Sequence, residues 1–199
     1  MPSFSLVSND GGRTFRRVGG PGRGLVAALP YKYDQRQGRP AGYFGPSNMI
    51  RRDGYWYVFI FAESYGAQRR GACLLRSDNI EDPKSWRAWD GKGFTIAFVD
   101  PYVDTAFQPG HHVCVPVPGL SSTISSVSRL PGAGGYVALI AAARPTAPED
   151  GPVAGIYYMT SADLIIWSKP KLLLAVPVMF AFSCDATSGV RLSLPAGPG

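Results

Sequence analysis

Short apolar and aromatic runs, each bounded by Gly, Pro, Asp or Ser, follow one another along most of the chain. The clearest set lies within 45–94 and predicts an opening strand, an aromatic strand, a strand beginning at Gly71 and a strand beginning at Trp86. Asp53-Gly54 predicts a tight hairpin turn between the first two strands, because both positions of such a turn need a positive φ. The pattern therefore predicts a four-stranded antiparallel unit.

The same plan recurs within 125–176. The third strands of the two units, Gly71 to Ser77 and Gly155 to Ser161, align without a gap. A repeated unit that cannot bury both faces alone is expected to stack, and radial stacking of such sheets gives a β-propeller. We therefore predict an all-β protein, namely an incomplete β-propeller of repeated four-stranded antiparallel blades. A single β-sandwich with two hairpin-rich segments is the alternative.

Composition agrees with this architecture. The chain has 199 residues and is 45% hydrophobic, which is enough for one domain with a sizeable core. Its 24 glycines and 18 prolines favour many tight turns over helices. We predict a single propeller-like domain over 1–199 that comprises a blade end at 1–18, a blade at 45–94, an insertion at 95–124, a blade at 125–176 and a disordered tail at 183–199.

The charge distribution leaves two interpretations open. The formal net charge is +6, and arginines crowd the first third of the chain. They form either a face for a polyanion or a scattered solvated surface, and we favour the second because no basic helix or nucleic-acid-binding motif organises them. We predict no nucleic-acid partner, and no membrane partner because no apolar run approaches the length of a membrane span.

The first residues carry no signal-peptide pattern. This predicts a cytoplasmic chain if its start is genuine and a secreted one if the sequence is truncated.

The cysteines Cys73, Cys114 and Cys184 share no metal-ligand spacing, so we predict neither a metal nor another cofactor. Cys73 lies inside an apolar strand and is expected to be a buried thiol, although a disulfide stays open.

A motif near the N-terminus resembles the Asp box of sialidases and other propellers. Ser8, Asp10, Gly12, Thr14 and Phe15 match its pattern Ser-x-Asp-x-Gly-x-Thr-Trp/Phe. Such a motif forms a turn through hydrogen bonds from turn backbone to the Ser and Asp side chains, with the aromatic ring in the core. The resemblance implies that Asp10 is structural and that it lies between the third and fourth strands of a blade.

A second resemblance covers 45–94 and 125–176. These segments look like the five-bladed propeller glycosidases of the arabinanase, xylosidase and invertase group. The matching residues are Pro46, Ser47, Ile50, Asp53, Gly54, Trp56, Tyr57, Ser161, Asp163, Leu164 and Trp167. The resemblance implies hydrolysis of glycosidic bonds by a carboxylate pair. In that group the catalytic base usually precedes the first-blade proline, but Gly45 stands there in this chain.

The remaining candidates for catalytic carboxylates are Glu63, Asp100 and Asp104. Glu63 ends the aromatic strand, and the two aspartates lie in the insertion, where function is often carried on a rigid scaffold. The competing interpretations are a Glu63 paired with Arg69 or Arg70 and two turn-forming aspartates.

Further side chains are candidates for substrate contact, because an apolar ring face with a polar rim suits a sugar. They are Tyr43, Phe44, Tyr65, Tyr102, His111, His112 and Arg144. Core packing is the competing role for the aromatic residues.

We therefore predict a glycoside hydrolase-like protein with a carbohydrate ligand. The first alternative is a non-catalytic carbohydrate- or protein-binding propeller. The second is a sialidase-like protein with an arginine group drawn from Arg51, Arg76, Arg129 and Arg144. Open sheet edges predict self-association if blades are missing.

Overall fold

The computed structural model describes residues 3–18, 24–104, 106–132, 134–142 and 154–175. Within these ranges the protein is all-β, as predicted, with 14 strands and three short 3₁₀ helices. The predicted tail at 183–199 and Arg144 lie outside the described residues. No helix in the described ranges has the length and apolarity needed to cross a membrane.

The strands are short except in two regions. They are β1 Ser3–Phe4, β2 Leu6–Val7, β3 Arg16–Arg17, β4 Leu25–Ala27, β5 Tyr43–Phe44, β6 Ile50–Arg52, β7 Tyr55–Ala62, β8 Gly71–Ser77, β9 Arg87–Trp89, β10 Phe94–Ile96, β11 Ile124–Leu130, β12 Gly135–Ala142, β13 Gly155–Ser161 and β14 Lys171–Ala175. The 3₁₀ helices are Gln35–Gln37, Pro83–Ser85 and Pro109–His112.

The first sheet has the strand order β10-β9-β8-β7-β5, with β6 also paired to β7. Its β6–β7 hairpin turns at Asp53 and Gly54, with φ angles of 49° and 82°, as the Asp-Gly signal predicts. The strands within 45–94 are present, but the sheet extends beyond them. Phe94–Ile96, where the insertion was expected to begin, instead pairs with β9.

The second sheet is the four-stranded meander β11-β12-β13-β14. Its β12–β13 pairing runs over seven residue pairs, from Tyr136↔Ser161 to Ala142↔Gly155. The β7–β8 pairing runs over seven pairs in the same alignment, from Trp56↔Ser77 to Ala62↔Gly71. The third strands of the two sheets therefore align without a gap in sequence and also pair with the preceding strands at equivalent residues. The last strand begins at Lys171, and Trp167 before it forms only an isolated bridge with Ser161.

The two sheets pack on each other through one apolar cluster. From the first sheet it includes Tyr57, Phe59, Ala72 and Leu74. From the second it includes Ala138, Ile140, Tyr157 and Met159. At about 25 cal/mol per Å² of apolar area removed from water, such a cluster is a large favourable contribution to folding.

The two sheets do not face each other through equivalent faces, as a comparison of residues at equivalent register positions shows. This arrangement is called head-to-tail stacking. Ala138 of the second sheet occupies the place of Val58 in the first, yet Ala138 faces the partner sheet and Val58 faces away from it. Each sheet therefore uses a different face at the contact. The equivalent of the first sheet's contact face is the outer face of the second, where Val137, Leu139 and Tyr158 are half-buried.

The other face of the first sheet is also covered. Val58, Ile60, Cys73 and Leu75 pack in a second cluster. That cluster further contains Ala27, Leu29, Tyr43, Trp86 and Cys114 from flanking segments. Burial on both faces explains why β7 is a continuous apolar and aromatic run rather than an alternating one.

One polar side chain links the sheets. The Asn48 amide donates to the Val127 carbonyl and its oxygen accepts from the Val127 N–H, both at 2.8 Å. Asn48 thus satisfies both backbone groups of a buried residue on the edge strand β11.

Three turns share a Ser-x-Asp or Ser-x-Asn pattern after a strand. Ser161 Oγ accepts the N–H groups of Asp163 and Leu164, and Ser77 Oγ accepts that of Asn79. In the N-terminal turn, Asp10 accepts the N–H of Thr14 at 3.0 Å and its hydroxyl at 2.6 Å. Asp10 therefore holds a turn.

The aromatic residue of that motif departs from the expectation. Phe15 is 63% exposed instead of filling a core. The β2–β3 ribbon has only two residue pairs, so it offers too little surface to bury a ring.

Replacing Asn48 by alanine is expected to lower the free energy of unfolding by about 2 kcal/mol. The change removes two hydrogen bonds and leaves the Val127 N–H and carbonyl without them. Urea denaturation would measure it, with Asn9→Ala as the matched control because Asn9 is exposed. Equal stabilities for the two variants would show that the amide bridge contributes nothing to sheet docking.

Candidate functional site

A cleft of about 670 Å³ opens beside one end of the first sheet. Four parts of the chain form it: Phe4 of β1, the segment from Leu25 to Phe44, the tip of the β7–β8 hairpin, and the loop at 100–102. Its aromatic lining is Phe4, Tyr31, Tyr33, Phe44, Tyr65 and Tyr102. Its polar lining includes Lys32, Gln35, Gln37, Arg39 and Asp100.

A glycine sets the position of Tyr31. Gly66 has φ +56°, and a Cβ there would lie 2.3 Å from the Tyr31 ring. The Tyr31 hydroxyl accepts the Ala67 N–H at 2.8 Å, and its ring meets that of Tyr65 edge-on with centroids 5.3 Å apart. The hairpin tip and Tyr31 therefore form one wall of the cleft.

The loop at 100–102 forms another wall. Tyr102 Oη accepts the N–H of Tyr33 at 2.8 Å, which joins this loop to the opposite segment. The carboxylate of Asp100 accepts the Tyr102 N–H at 3.0 Å, and Asp104 in turn accepts the Asp100 N–H at 2.9 Å. Both aspartates thus hold the loop, and Asp100 also borders the cleft.

Below the hairpin tip, Gln68 is a buried polar centre. Its Oε1 accepts the Tyr43 hydroxyl at 2.7 Å and the Cys114 N–H at 3.1 Å, and its Nε2 donates to the Cys114 carbonyl at 3.2 Å. Burial raises the pKa of Tyr43 well above its usual range, so its hydroxyl stays a donor. Gln68 thereby fixes the hairpin to the segment that carries Cys114.

A disulfide joins the same two parts of the protein. Cys73 of β8 is bonded to Cys114, with Cα atoms 6.0 Å apart. The expectation of a buried free thiol at Cys73 is therefore wrong, although the residue is buried as predicted. The partner lies 41 residues away, and no local pattern indicates such a distant pairing.

The structure brings together four of the residues predicted for the site. Phe44, Tyr65, Tyr102 and Asp100 all border the cleft. Tyr43 does not, because it alternates with Phe44 along β5 and points into the core, where it is 2% exposed. It thus takes the core-packing role that was the competing interpretation.

The other predicted residues that the structure describes lie outside the cleft lining. Glu63 forms an ion pair with Arg70 at 3.1 Å, which is the competing interpretation of that carboxylate. His111 is exposed, and His112 Nδ1 lies 2.7 Å from the Ala97 carbonyl. No group of three or more His, Cys, Asp or Glu side chains suited to a metal occurs in the described part of the chain.

Gly45, where the glycosidase pattern has a catalytic base, has a structural reason to be glycine. Its φ is +52°, and a Cβ would lie 2.7 Å from Cγ2 of Thr123. An aspartate at this position would need both a strained backbone and a displaced Thr123. The backbone at Gly45 therefore disfavours the aspartate that the glycosidase pattern has at this position.

Several aspartates outside the cleft lining have lowered pKa values because they hold turns. The hydroxyl of Thr95 and the N–H groups of Gly93 and Lys92 lower the pKa of Asp90 to about 2. For Asp163, burial raises the pKa, but N–H donation from Ile166 and Ile165 outweighs it and lowers the value. These carboxylates are ionised turn anchors rather than proton donors.

Sequence reasoning missed the segment that contributes most to the cleft. Tyr31, Tyr33, Lys32 and Arg39 lie in a Gly-, Arg- and Pro-rich stretch that the sequence presents as a plain connection. The two tyrosines within a polar stretch were the available signal, since loops carry binding residues disproportionately often.

Comparisons with protein-family models, curated proteins and solved structures found no match to this chain.

Replacing Gly66 by alanine is expected to destabilise the protein by about 2 kcal/mol or more. The new methyl group would carry the cost of a positive φ and would also overlap the Tyr31 ring. Gly38→Ala is the matched control, because Gly38 has φ +67° with nothing within 4 Å of a built Cβ. Thermal and urea melts would compare them, and equal losses would rule out the Tyr31 contact as a constraint.

Proposed function

We propose that this protein binds a carbohydrate in the aromatic cleft. The observation that supports the proposal is the convergence of Phe44, Tyr65, Tyr102 and Asp100, which lie far apart in sequence, on one cleft that also contains Tyr31. Aromatic ring faces pack against the C–H faces of a sugar, while carboxylate, amide and guanidinium groups meet its hydroxyls.

The size and chemistry of the cleft support this ligand class. A volume of about 670 Å³ lies within the range typical of small-molecule sites. The hydroxyls of Tyr31 and Tyr102 each accept one backbone N–H, so each keeps its own O–H for donation to a ligand. The cleft walls are held by these bonds and require little ordering on binding.

Binding is better supported than hydrolysis. Glycoside hydrolysis ordinarily needs two carboxyl groups about 5–10 Å apart across the scissile bond. Asp100 is the one carboxylate among the described residues that line the cleft. Glu63, the other leading candidate, is neutralised by Arg70.

We further propose that the two stacked sheets are successive blades of a β-propeller. The identical register of β7–β8 and β12–β13, the head-to-tail stacking and the three Ser-x-Asp or Ser-x-Asn turns are the observations that support it. In such a ring, the half-buried outer face of the second sheet would receive the next blade.

Titration calorimetry with xylo-, arabino- and fructo-oligosaccharides tests the binding proposal. We expect saturable binding of one class, weakened about tenfold by Tyr102→Ala or Phe44→Ala, because each loses a ring contact of about 1–1.5 kcal/mol. Phe15→Ala is the matched control, since Phe15 is exposed and outside the cleft. Equal weakening by Phe15→Ala, or no binding by a cooperatively folded chain, would contradict the proposal.

Glycoside hydrolysis is the second candidate, favoured by the position of Asp100 in the cleft. If the chain hydrolyses aryl-glycosides or the same oligosaccharides, Asp100→Asn should lower the rate at least about hundredfold. Asp78→Asn, an exposed carboxylate outside the cleft, should leave the rate unchanged. Sugar binding without any turnover would exclude this candidate and leave the binding function in place.

A further inference from the structure

A row of arginines crosses one end of the first sheet, on the face that contacts the second sheet. Arg52 of β6 lies opposite Tyr55 of β7, and Arg76 of β8 lies opposite Tyr57. Arg87 of β9 lies directly opposite Arg76. Like charges placed opposite each other across two strands destabilise a sheet, so this arrangement calls for a compensating partner.

Aromatic rings hold the central arginine. The guanidinium carbon of Arg76 lies 4.2 Å from the ring centroid of Tyr55 and 4.6 Å from that of Phe94. The Phe94 ring is in turn held edge-on by Tyr57 and Trp89. Ring contacts fix the plane of a guanidinium but use none of its N–H groups, which point outward in that plane and can donate hydrogen bonds.

The charge of this group is only partly compensated within the described residues. Arg52 pairs with Asp53 at 3.0 Å, and its charge also helps to lower the pKa of Asp163 on the second sheet. Arg76 has neither an ion pair nor a side-chain hydrogen bond in that part of the structure, although Asp78 is only two residues away. Arg87 donates to the carbonyls of Lys84 and Trp86, which are uncharged.

The second sheet adds to the same region. Arg52 stands over the Tyr136 ring at 5.9 Å, and the exposed Arg129 lies opposite Tyr136 across the β11–β12 pair. Arginines from both sheets thus lie at one end of their interface, where Arg52, Arg76 and Arg87 are half-buried and Arg129 is exposed.

We propose that Arg76, with Arg87 beside it, binds a tetrahedral dianion, namely the phosphomonoester group of a ligand or a free phosphate or sulfate ion. Arg76 presents a fixed fork that matches two oxygens of such a group, and a dianion offsets the two opposed positive charges. A monovalent carboxylate would compensate only one of them.

This site is separate from the aromatic cleft and does not depend on the carbohydrate proposal. Arg76 is paired with Tyr57 near the start of β7, whereas Phe44 of the cleft lining is paired with Phe61 near its end. These positions are about 13 Å apart along the strand. The region shares Arg76 and Arg129 with the sialidase-like arginine group considered above, but it does not include Arg51. Arg51 belongs to the opposite face of the sheet, where it stands over Trp56 at 5.4 Å.

Calorimetric titration of the full chain with sodium phosphate and with sodium sulfate, at constant ionic strength, tests the proposal. We expect saturable binding with a dissociation constant of about 1 mM for at least one of the two ions. The ion that binds more tightly shows whether the site prefers phosphate or sulfate. Sodium acetate is expected to bind at least about tenfold more weakly. Equal binding of acetate would overturn the requirement for a dianion.

Two variants assign the binding to Arg76. Arg76→Gln should abolish it, and Arg76→Lys, which keeps the charge without the planar fork, should weaken it about tenfold. The control Arg13→Gln removes the same charge from an exposed turn and should leave binding unchanged. Absence of saturable binding up to about 50 mM, or wild-type affinity in folded Arg76→Gln, would overturn the proposal.

Discussion

The apolar contact between the two sheets is the interaction on which the rest of the structure depends. The first sheet is a middle layer: Phe59 and Leu74 face the second sheet, while Val58 and Leu75 face the flanking segments. A sheet that is apolar on both faces must be covered on both, because exposure of either face would forfeit its hydrophobic stabilisation. Long-range segments are therefore drawn onto it, and the cleft is built from those segments.

The core and the cleft are coupled through the β7–β8 hairpin. Gln68 faces inward and satisfies Tyr43 and Cys114, while Tyr65, in the same tight turn, lines the cleft. The hydrogen bonds of a buried side-chain amide are costly to break, so Gln68 fixes the position and orientation of the turn. The disulfide of Cys73 fastens the same region. The proposed ligand would thus meet a wall that is already ordered.

Much of the fold could be predicted because its signals are local. The Asp53-Gly54 turn follows from backbone conformation, and the strands follow from short apolar runs bounded by turn residues. The position of the last strand of the second sheet could not be predicted from the sequence, because β14 is exposed along its length and has no alternation of buried and exposed residues. Candidate site residues were harder to sort, because neighbours such as Tyr43 and Phe44 differ only in the face to which they point.

The sequence by itself determined the all-β class, the Asp53-Gly54 turn and the turn-forming role of Asp10, since each depends on residues close together in the chain. Only the tertiary structure decided which aromatic residues share a cleft, that Cys73 is bonded to Cys114, and that Arg76 is held between Tyr55 and Phe94. These features join residues separated by tens of positions. Which of them meet depends on how the two sheets stack, and that stacking is set by burial summed over the whole chain rather than by any local pattern.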